Sequence, residues 1–467
     1  MRNLNYLNLK KSKLNITVHD EDEKEKRTIY PNDISKKDVL ESEIKEEISK
    51  RFFSMLTKST LTEEDSREVD AFIRKFIKDN RYFFRDSSDY ELFVSTIVND
   101  IFGLGVLEAY IKDETINEIW VLGPKHIWYD KQGKHIDSPI KFKNNTVVTS
   151  MINKILAPVN RKADEANPIV DAHLQDGSRV CVTLPPISEA PELVIRKFNK
   201  NKRTLDNYIE DGQITSKMAN FLSTSIKWGA NILVVGGTGS GKTSLLNALT
   251  SEIPRTDHVI TIEDSRELKV DAPFWQPWET KNANSEGVGA IDSPKLVKNS
   301  LRNSPDRIIL GEIRDAVAYD VLNAAMTGHK GTMSTIHADN AKEAVERFCT
   351  LGGSAGIVDA QECKKLFADT FDLIVVVKKL MHPQTNEKIH LITQICHVVG
   401  YGERGAGLLN LKASDEKVYL QNIFALNERT FCIETTGYMP KDMIQKAQFE
   451  NKPYDLNLFI KDEFKVI

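Results

Sequence analysis

Apolar residues along this chain are spaced in three ways, and each spacing predicts a different kind of element. Between residues 37 and 102 they recur at helical intervals. Leu40, Ile44, Ile48, Phe52 and Leu56 step by fours; Val69, Phe72, Ile73, Phe76 and Ile77 make a second stripe; Leu92, Phe93, Ile97 and Ile101 make a third. Such stripes form the core of a small helical bundle, and they suit a partner surface equally well; spacing does not separate the two. From Gly103-Leu104-Gly105 the texture changes to short apolar stretches between turns. Strands are expected at Glu118 to Leu122 and His126 to Tyr129, with Gln132-Gly133 as a hairpin turn. A helix around Val147 to Leu156 and strands at Arg179 to Leu184 and Leu193 to Arg196 follow. Residues 103–200 therefore read as an α+β domain.

The third spacing runs from about Leu205 to His397. Strand-like runs at Asn231 to Val235, His258 to Ile262, Arg307 to Leu310, Gly331 to Ile336 and Phe371 to Val377 alternate with helical patterns. That alternation predicts an α/β domain, a mostly parallel sheet with helices on both faces. Beyond Val398 the pattern is mixed again, with strands at Val418 to Phe424 and Thr430 to Thr435 and a helix from Lys441 to Phe449, so 398–467 reads as a C-terminal α+β extension. A basic stretch, Asn199 to Arg203, separates the two larger regions, and the linker is placed at 201–204. Residues 1–36 are polar and lysine-rich, with the charge run Asp20 to Arg27, and have little to bury. A flexible tail is expected there, with a docking tail as the alternative.

Composition narrows the picture. A chain of 467 residues holds more than one domain. A formal charge of -4 supplies no overall attraction to nucleic acid or anionic membrane, leaving only local basic patches. Apolar runs such as Leu373 to Val377 are too short to span a bilayer, and the opening Met-Arg-Asn-Leu-Asn develops no signal-peptide core, so the cytoplasm is the expected compartment. Five cysteines (Cys181, Cys349, Cys363, Cys396, Cys432) are scattered and never in CxxC spacing. They read as buried free thiols, not as a disulfide framework or a zinc site.

The chemistry begins at the end of the first buried strand, Ile232 to Val235. Gly236, Gly237, Thr238, Gly239, Ser240, Gly241, Lys242 and Thr243 follow it, and Ser244 to Leu249 reads as the first turns of a helix. This is the strand–GxxxxGK[ST]–helix context of a phosphate-binding loop. Glycines let successive N–H groups curl around phosphate oxygens at the positive end of a helix. Lys242 can reach the β- and γ-phosphates, and Thr243 offers its hydroxyl to Mg²⁺. ATP and GTP both remain open, because no base-recognition motif is present.

Three further stretches belong with the loop by type and order. Val259 to Asp264 is an apolar strand ending in two carboxylates, Glu263 and Asp264, which at a parallel strand's C-terminal edge can hold Mg²⁺ or orient water. The alternative, that Asp264 or Ser265 caps a following helix, stays open here. Arg307 to Arg314 is a hydrophobic strand ending in Gly311-Glu312, with Gly311 where many P-loop enzymes keep a Mg²⁺-binding Asp. Glu312 is therefore the carboxylate expected to position the attacking water. Gly328 to Ala338 brackets a small-residue strand with His329 and His337, either of which could contact phosphate.

In this order the motifs resemble the ATPase superfamily that powers type II and type IV secretion and pilus assembly. The resemblance is carried by the P-loop, an Asp box (Thr261-Ile262-Glu263-Asp264 with Glu267-Leu268), a Gly-Glu-x-Arg Walker B element at Gly311 to Arg314 and a His box at Gly328 to Ala338. Gly331-Thr332 within the His box, and the lack of a tetracysteine cluster, are similar to the conjugation and tight-adherence (CpaF/TadA) branch. So are Asn117 to Val121, Leu174 to Val180, Ile195 to Phe198, Leu420 to Phe424 and Thr436 to Pro440. The likeness runs from about Phe102 to Phe459.

The resemblance implies a RecA-like P-loop NTPase domain, an assembly of six subunits, and ATP bound between that domain and the N-terminal domain. It implies ATP and Mg²⁺ as ligands, with Lys242, Thr243 and Ser244 in the loop and Thr243 and Glu263 near the metal. Glu312 would activate water beside Arg314, and His329 and His337 would sense the γ-phosphate. Arg179 and Arg196 match arginines that reach the phosphates, where a cation supplied from a second domain couples hydrolysis to closure. Two positions depart from the family: Asp315 stands where Gly often follows the Walker B Arg, and Lys330 follows His329. The expected function is a cytoplasmic ATPase motor, recruited to the inner face of the membrane by a platform protein of a secretion or pilus machine. A nucleic-acid translocase and a nucleotide-binding scaffold without turnover are the alternatives. No basic stripe with interleaved aromatics favours a nucleic-acid partner.

Overall fold

The structure, a computed structural model, describes residues 27–52, 55, 63–101, 107–131, 134–159, 161–174, 176–198, 202–281, 283, 288–409 and 415–465. The hairpin turn expected at Gln132-Gly133, the glycines of Gly103-Leu104-Gly105, Leu56 and the first 26 residues lie outside them. The chain divides into two compact units, Met1–Phe198 and Asn199–Ile467.

In the first unit, β1 (Thr28–Ile29) leads into α1 (Ile34–Arg51), α2 (Glu63–Asp79), β2 (Phe83–Phe84) and α3 (Ser87–Ile101). The helical stripes pack on one another: Leu40, Ile44, Ile48, Val69, Ile73, Ile77, Phe93 and Ile97 form one buried cluster, while Leu92 faces solvent. One boundary is corrected. The tail expected to reach residue 36 is already structured at Thr28, because β1 pairs in parallel with β2 and buries Ile29 completely.

A short helix, α4 (Glu108–Lys112), opens the α+β part. It is followed by β3 (Ile116–Leu122), β4 (Ile127–Lys131), β5 (Lys134–Asp137), α5 (Asn145–Leu156), β6 (Ile169–His173), β7 (Arg179–Thr183) and β8 (Glu192–Arg196). These strands form an antiparallel sheet in the order β5-β4-β3-β8-β7-β6. Val148, Ile152, Ile155 and Leu156 of α5 cover one face, against Ile119, Val121, Val180, Val182, Leu193 and Ile195. Asn144 caps the helix through its side chain, accepting from the Val147 N–H.

The second unit starts with α6 (Leu205–Glu210) and α7 (Ser216–Trp228), then β9 (Ile232–Val235) and the P-loop helix α8 (Lys242–Leu249). Next come β10 (Val259–Glu263), β11 (Trp275–Glu279), α9 (Ser293–Ser300), β12 (Arg307–Leu310), α10 (Val317–Met326), β13 (Met333–Ile336), α11 (Ala341–Gly353) and α12 (Ala360–Thr370). The chain ends with β14 (Leu373–Met381), β15 (Lys388–Tyr401), α13 (Gly402–Leu408), β16 (Val418–Asn427), β17 (Cys432–Thr435), α14 (Lys441–Phe449) and β18 (Asp462–Lys465). One sheet holds all ten strands, in the order β11-β10-β12-β13-β9-β14-β15-β16-β17-β18. The strands from β11 to β14 run parallel and those after β14 antiparallel.

Alternation along β9 explains the two cores. Ile232 and Val234 join α7, α8 and α14 on one face, and Leu233 and Val235 join α10, α11 and α12 on the other. The strands after residue 398 extend this same sheet, and β15 runs through the expected boundary at 397 without a break. Phe221 of α7 meets Phe424 of β16 at 5.7 Å, Tyr454 at 5.2 Å and Phe459 at 6.0 Å between ring centroids, all inside one cluster. Phe221→Ala is expected to cost about 3–5 kcal/mol in denaturant unfolding. A loss below about 1 kcal/mol would show that the C-terminal segment does not share this core.

Candidate active site

Because β10, β12, β13 and β9 are parallel neighbours, the loops after all four leave from the same edge of the sheet. Open parallel sheets bind ligands outside that edge. β9 releases the P-loop there, β10 ends in Glu263, Gly311-Glu312 follow directly on β12, and His337 follows directly on β13.

The loop is built for close approach. Gly239 and Gly241 take φ of +68° and +93°, a left-handed backbone that glycine adopts freely. At Gly236 a side chain has no room: a Cβ would stand 2.3 Å from the Val377 carbonyl oxygen and 2.4 Å from Ser240 Oγ. Ser240 Oγ is buried without a hydrogen-bond partner, while Gly237 is half-buried and Thr238 exposed. Lys242 Nζ folds back to donate to the Gly237 carbonyl at 2.9 Å. Thr243, half-buried, and Ser244, exposed, form the first turn of α8. An orphaned hydroxyl, left-handed glycines and a helix N-terminus carrying a lysine fit a nucleotide's phosphates.

Five side chains link up around the loop. Lys242 Nζ lies 3.2 Å from His337 Nδ1, His337 Nε2 lies 3.1 Å from Glu312 Oε1, and Arg314 Nη2 donates to Glu312 Oε2 at 2.6 Å. Arg314 Nη1 also reaches Asp264 Oδ2 at 3.4 Å. Burial, reinforced by the charge of Lys242, holds His337 below the ordinary imidazole range, so the ring is neutral. An ammonium only donates and a carboxylate only accepts, so the proton sits on Nε2 facing Glu312 and Nδ1 accepts from Lys242. Burial likewise lowers Lys242, opposed by Glu312. Asp315, where the family often keeps Gly, adopts φ +51°, the left-handed conformation that Asp tolerates better than most residues.

Glu263 plays a different part from its neighbour. Its side chain is buried; Oε1 accepts from the N–H groups of Glu267 at 2.9 Å and Leu268 at 3.0 Å, and Oε2 has no partner. Burial pushes the carboxyl up to about 7, against the pull of those two N–H groups. Gly311 gives this side chain room: a Cβ there would lie 3.1 Å from Glu263 Cγ, a contact that asks the glutamate to shift by a few tenths of an ångström. Asp264 is exposed and accepts from Thr280 Oγ1 at 3.3 Å. No helix follows Ser265, so the helix-capping alternative falls.

His329 corrects the expectation of two histidines at one phosphate. It precedes β13 and therefore stands at the opposite, N-terminal edge of the sheet, where its Nδ1 lies 3.0 Å from the Ala324 carbonyl at the end of α10. Its neighbour Lys330 pairs with Glu450 at 2.9 Å, far from the P-loop edge. Order in the chain had grouped the two histidines; the strand between them separates them. Arg179 and Arg196 lie directly opposite one another on β7 and β8, both exposed, with Glu118 of β3 next across the sheet. Pattern reading passed over two residues. Arg347 of α11 bears electrostatically on both Lys242 and His337, and His390 of β15 contacts the Gly239 carbonyl. Neither sits in a motif.

Among the described residues, no group of three His, Cys, Asp or Glu side chains is placed to hold a metal ion. A Mg²⁺ ion would rely on Thr243 and the phosphates themselves, as is usual for that ion. Glu263 yields a pH test. Its folded carboxyl titrates near 7 against an ordinary 4.5, so the folded state keeps a proton that the unfolded state has lost, and stability falls as pH rises through that window. In buffer free of divalent cations, Glu263→Gln is expected to be more stable than wild type at pH 8 by up to about 3 kcal/mol, the difference vanishing near pH 4.5. Equal stabilities at pH 8, by denaturant titration, would contradict the buried neutral acid.

The family model described as type II/IV secretion system protein matches residues 101–419. A putative conjugal transfer protein of Mycobacterium tuberculosis is 30% identical over 265 residues, covering 55% of this chain and 75% of its own. An uncharacterized protein of Methanocaldococcus jannaschii is 30% identical over 416 residues, 88% of this chain and 71% of its own. Among solved structures, the VirB11 ATPase from the Brucella suis type IV secretion system is 25% identical, covering 62% of this chain and 91% of that one, with a TM-score of 0.34. The match spans the P-loop, both acidic strands and the His box, and the chain accordingly belongs to the type II/IV secretion system protein family and is an ATP-hydrolysing enzyme.

Proposed function

We propose that this chain is one subunit of a ring-shaped motor, six to a ring, in which ATP hydrolysis drives pilus assembly, protein secretion or conjugative transfer through a membrane machine. The observation that carries the chemistry is the grip on Glu312: both carboxylate oxygens are engaged, one by neutral His337 and one by Arg314. A carboxylate held on both sides keeps its orientation, as a group that aligns water for in-line attack must. Lys242 and the N-terminus of α8 neutralise charge on the phosphates, and Mg²⁺, bound through Thr243, would add a second cation there.

The position of Lys242 supports a sensing role for His337. The ammonium contacts both the Gly237 carbonyl and His337. A γ-phosphate competes for that ammonium, withdraws a donor from Nδ1, and so alters the ring that holds Glu312. Arg179 and Arg196 fit the role of cations reaching the phosphates on closure. Two like charges directly opposite in a sheet are unfavourable; Glu118 offsets part of this beside Arg196, and an anion between the two arginines would offset more. A membrane-bound platform protein is proposed as the docking partner; the described residues include no helix long and apolar enough to cross a membrane.

Mg²⁺-dependent ATP turnover, measured against protein concentration, tests this reading. Turnover per subunit should rise with assembly. Glu312→Gln should lower kcat by about 10²–10³-fold with nucleotide binding intact, and Lys242→Ala should abolish binding. Arg196→Ala that hydrolyses like wild type would remove the arginines from the mechanism. Turnover independent of concentration would remove the ring.

A further inference from the structure

The sheet rises past the P-loop on one side. β14 pairs with β9 as far as Val376 opposite Val235, then continues to Met381, paired there with the start of β15 from Lys388 to Ile392. The β14–β15 register shifts between Val376 and Val377, a bulge that bends a hairpin out of the plane of its sheet. The hairpin stands against the loop, since the Val377 carbonyl is what closes off Gly236. From this wall one side chain crosses to the loop. His390, opposite Lys379 in the ladder, places Nε2 3.1 Å from the Gly239 carbonyl oxygen. A carbonyl only accepts, so Nε2 carries the proton.

In a trans peptide the C=O of one residue and the N–H of the next point to opposite sides. The Gly239 carbonyl meets His390, and the Ser240 N–H on the other side of the same peptide donates to the Gly237 carbonyl at 3.3 Å. We propose that His390 is a positioning residue for the phosphate-binding loop. Its Nε2–H holds the Gly239–Ser240 peptide plane from one side while the Ser240 N–H bond to the Gly237 carbonyl holds it from the other, and the fixed turn sets nucleotide affinity without His390 touching the nucleotide. The plane needs holding because Gly239, in the left-handed region, rotates more freely than any other residue could. A loop that is already ordered loses less freedom when the phosphates arrive. The proposal rests on the P-loop being the nucleotide site.

The test measures binding of a fluorescent ADP analogue and steady-state ATP turnover on the full chain. His390→Phe keeps the ring and loses the donor; His390→Gln keeps a donor at similar reach. The phenylalanine variant should raise Kd and KM by about fivefold, the worth of one ordinary hydrogen bond, with kcat at saturation within about twofold of wild type. The glutamine variant should return both constants to within about twofold of wild type. Should the phenylalanine variant not fold, His390→Val, suited to a strand, takes its place. Wild-type affinity in the donorless variant, or a glutamine variant as weak as the donorless one, would overturn the assignment. Undiminished binding in Lys242→Ala would instead overturn the P-loop reading beneath it.

Discussion

Parallel pairing of β12, β13 and β9 determines where each reactive group of the site can stand. Leu310 is level with Ser334, and Ile336 with Val235, so three chain segments leave the sheet at nearly one height. Two hydrogen bonds extend the pairing beyond the strands: Thr335 Oγ1 donates to the Gly311 carbonyl at 2.8 Å, and the Ile313 N–H to the Thr335 carbonyl at 2.7 Å. The register is itself held by burial, since every residue of these three strands is buried and a slip by one would exchange the two cores. Catalytic geometry is thus inherited from apolar packing that never touches the ligand.

Within that frame the electrostatics divide labour between carboxyls of similar origin. Glu263 ends one apolar parallel strand and Glu312 follows another, yet burial raises the pKa of the first while Arg314 and His337 engage the second. The difference comes from a single step in the chain. Glu263 is still in its strand and turned inward, whereas Glu312 lies two residues past Leu310 and has left the sheet.

The P-loop was legible because phosphate binding demands glycines at fixed intervals, and the strand and helix around it because their residues are uniformly buried or regularly spaced. Other parts had no such signature. β1 buries a single isoleucine in a lysine-rich setting, so no period exists to detect. β11 contains Pro277, which argues against a central strand but is tolerated at the edge, where β11 lies. β15 mixes lysine, histidine and glutamine with its apolar residues because it turns from the sheet interior to the wall beside the loop. His329 was misplaced because linear proximity to His337 conceals a strand's length between opposite edges, and His390 was invisible because its partner is a backbone carbonyl distant in the chain.

Glu263 and Gly311 compete for one small volume at the ends of neighbouring strands, where even a methyl at 311 would meet the glutamate's Cγ at 3.1 Å. A side chain at 311 would have to press the Glu263 stem aside by a few tenths of an ångström or turn away from it. The spacing of two neighbouring strands thus acts as a gauge: it admits one full-length inner carboxylate when the adjoining position carries no side chain.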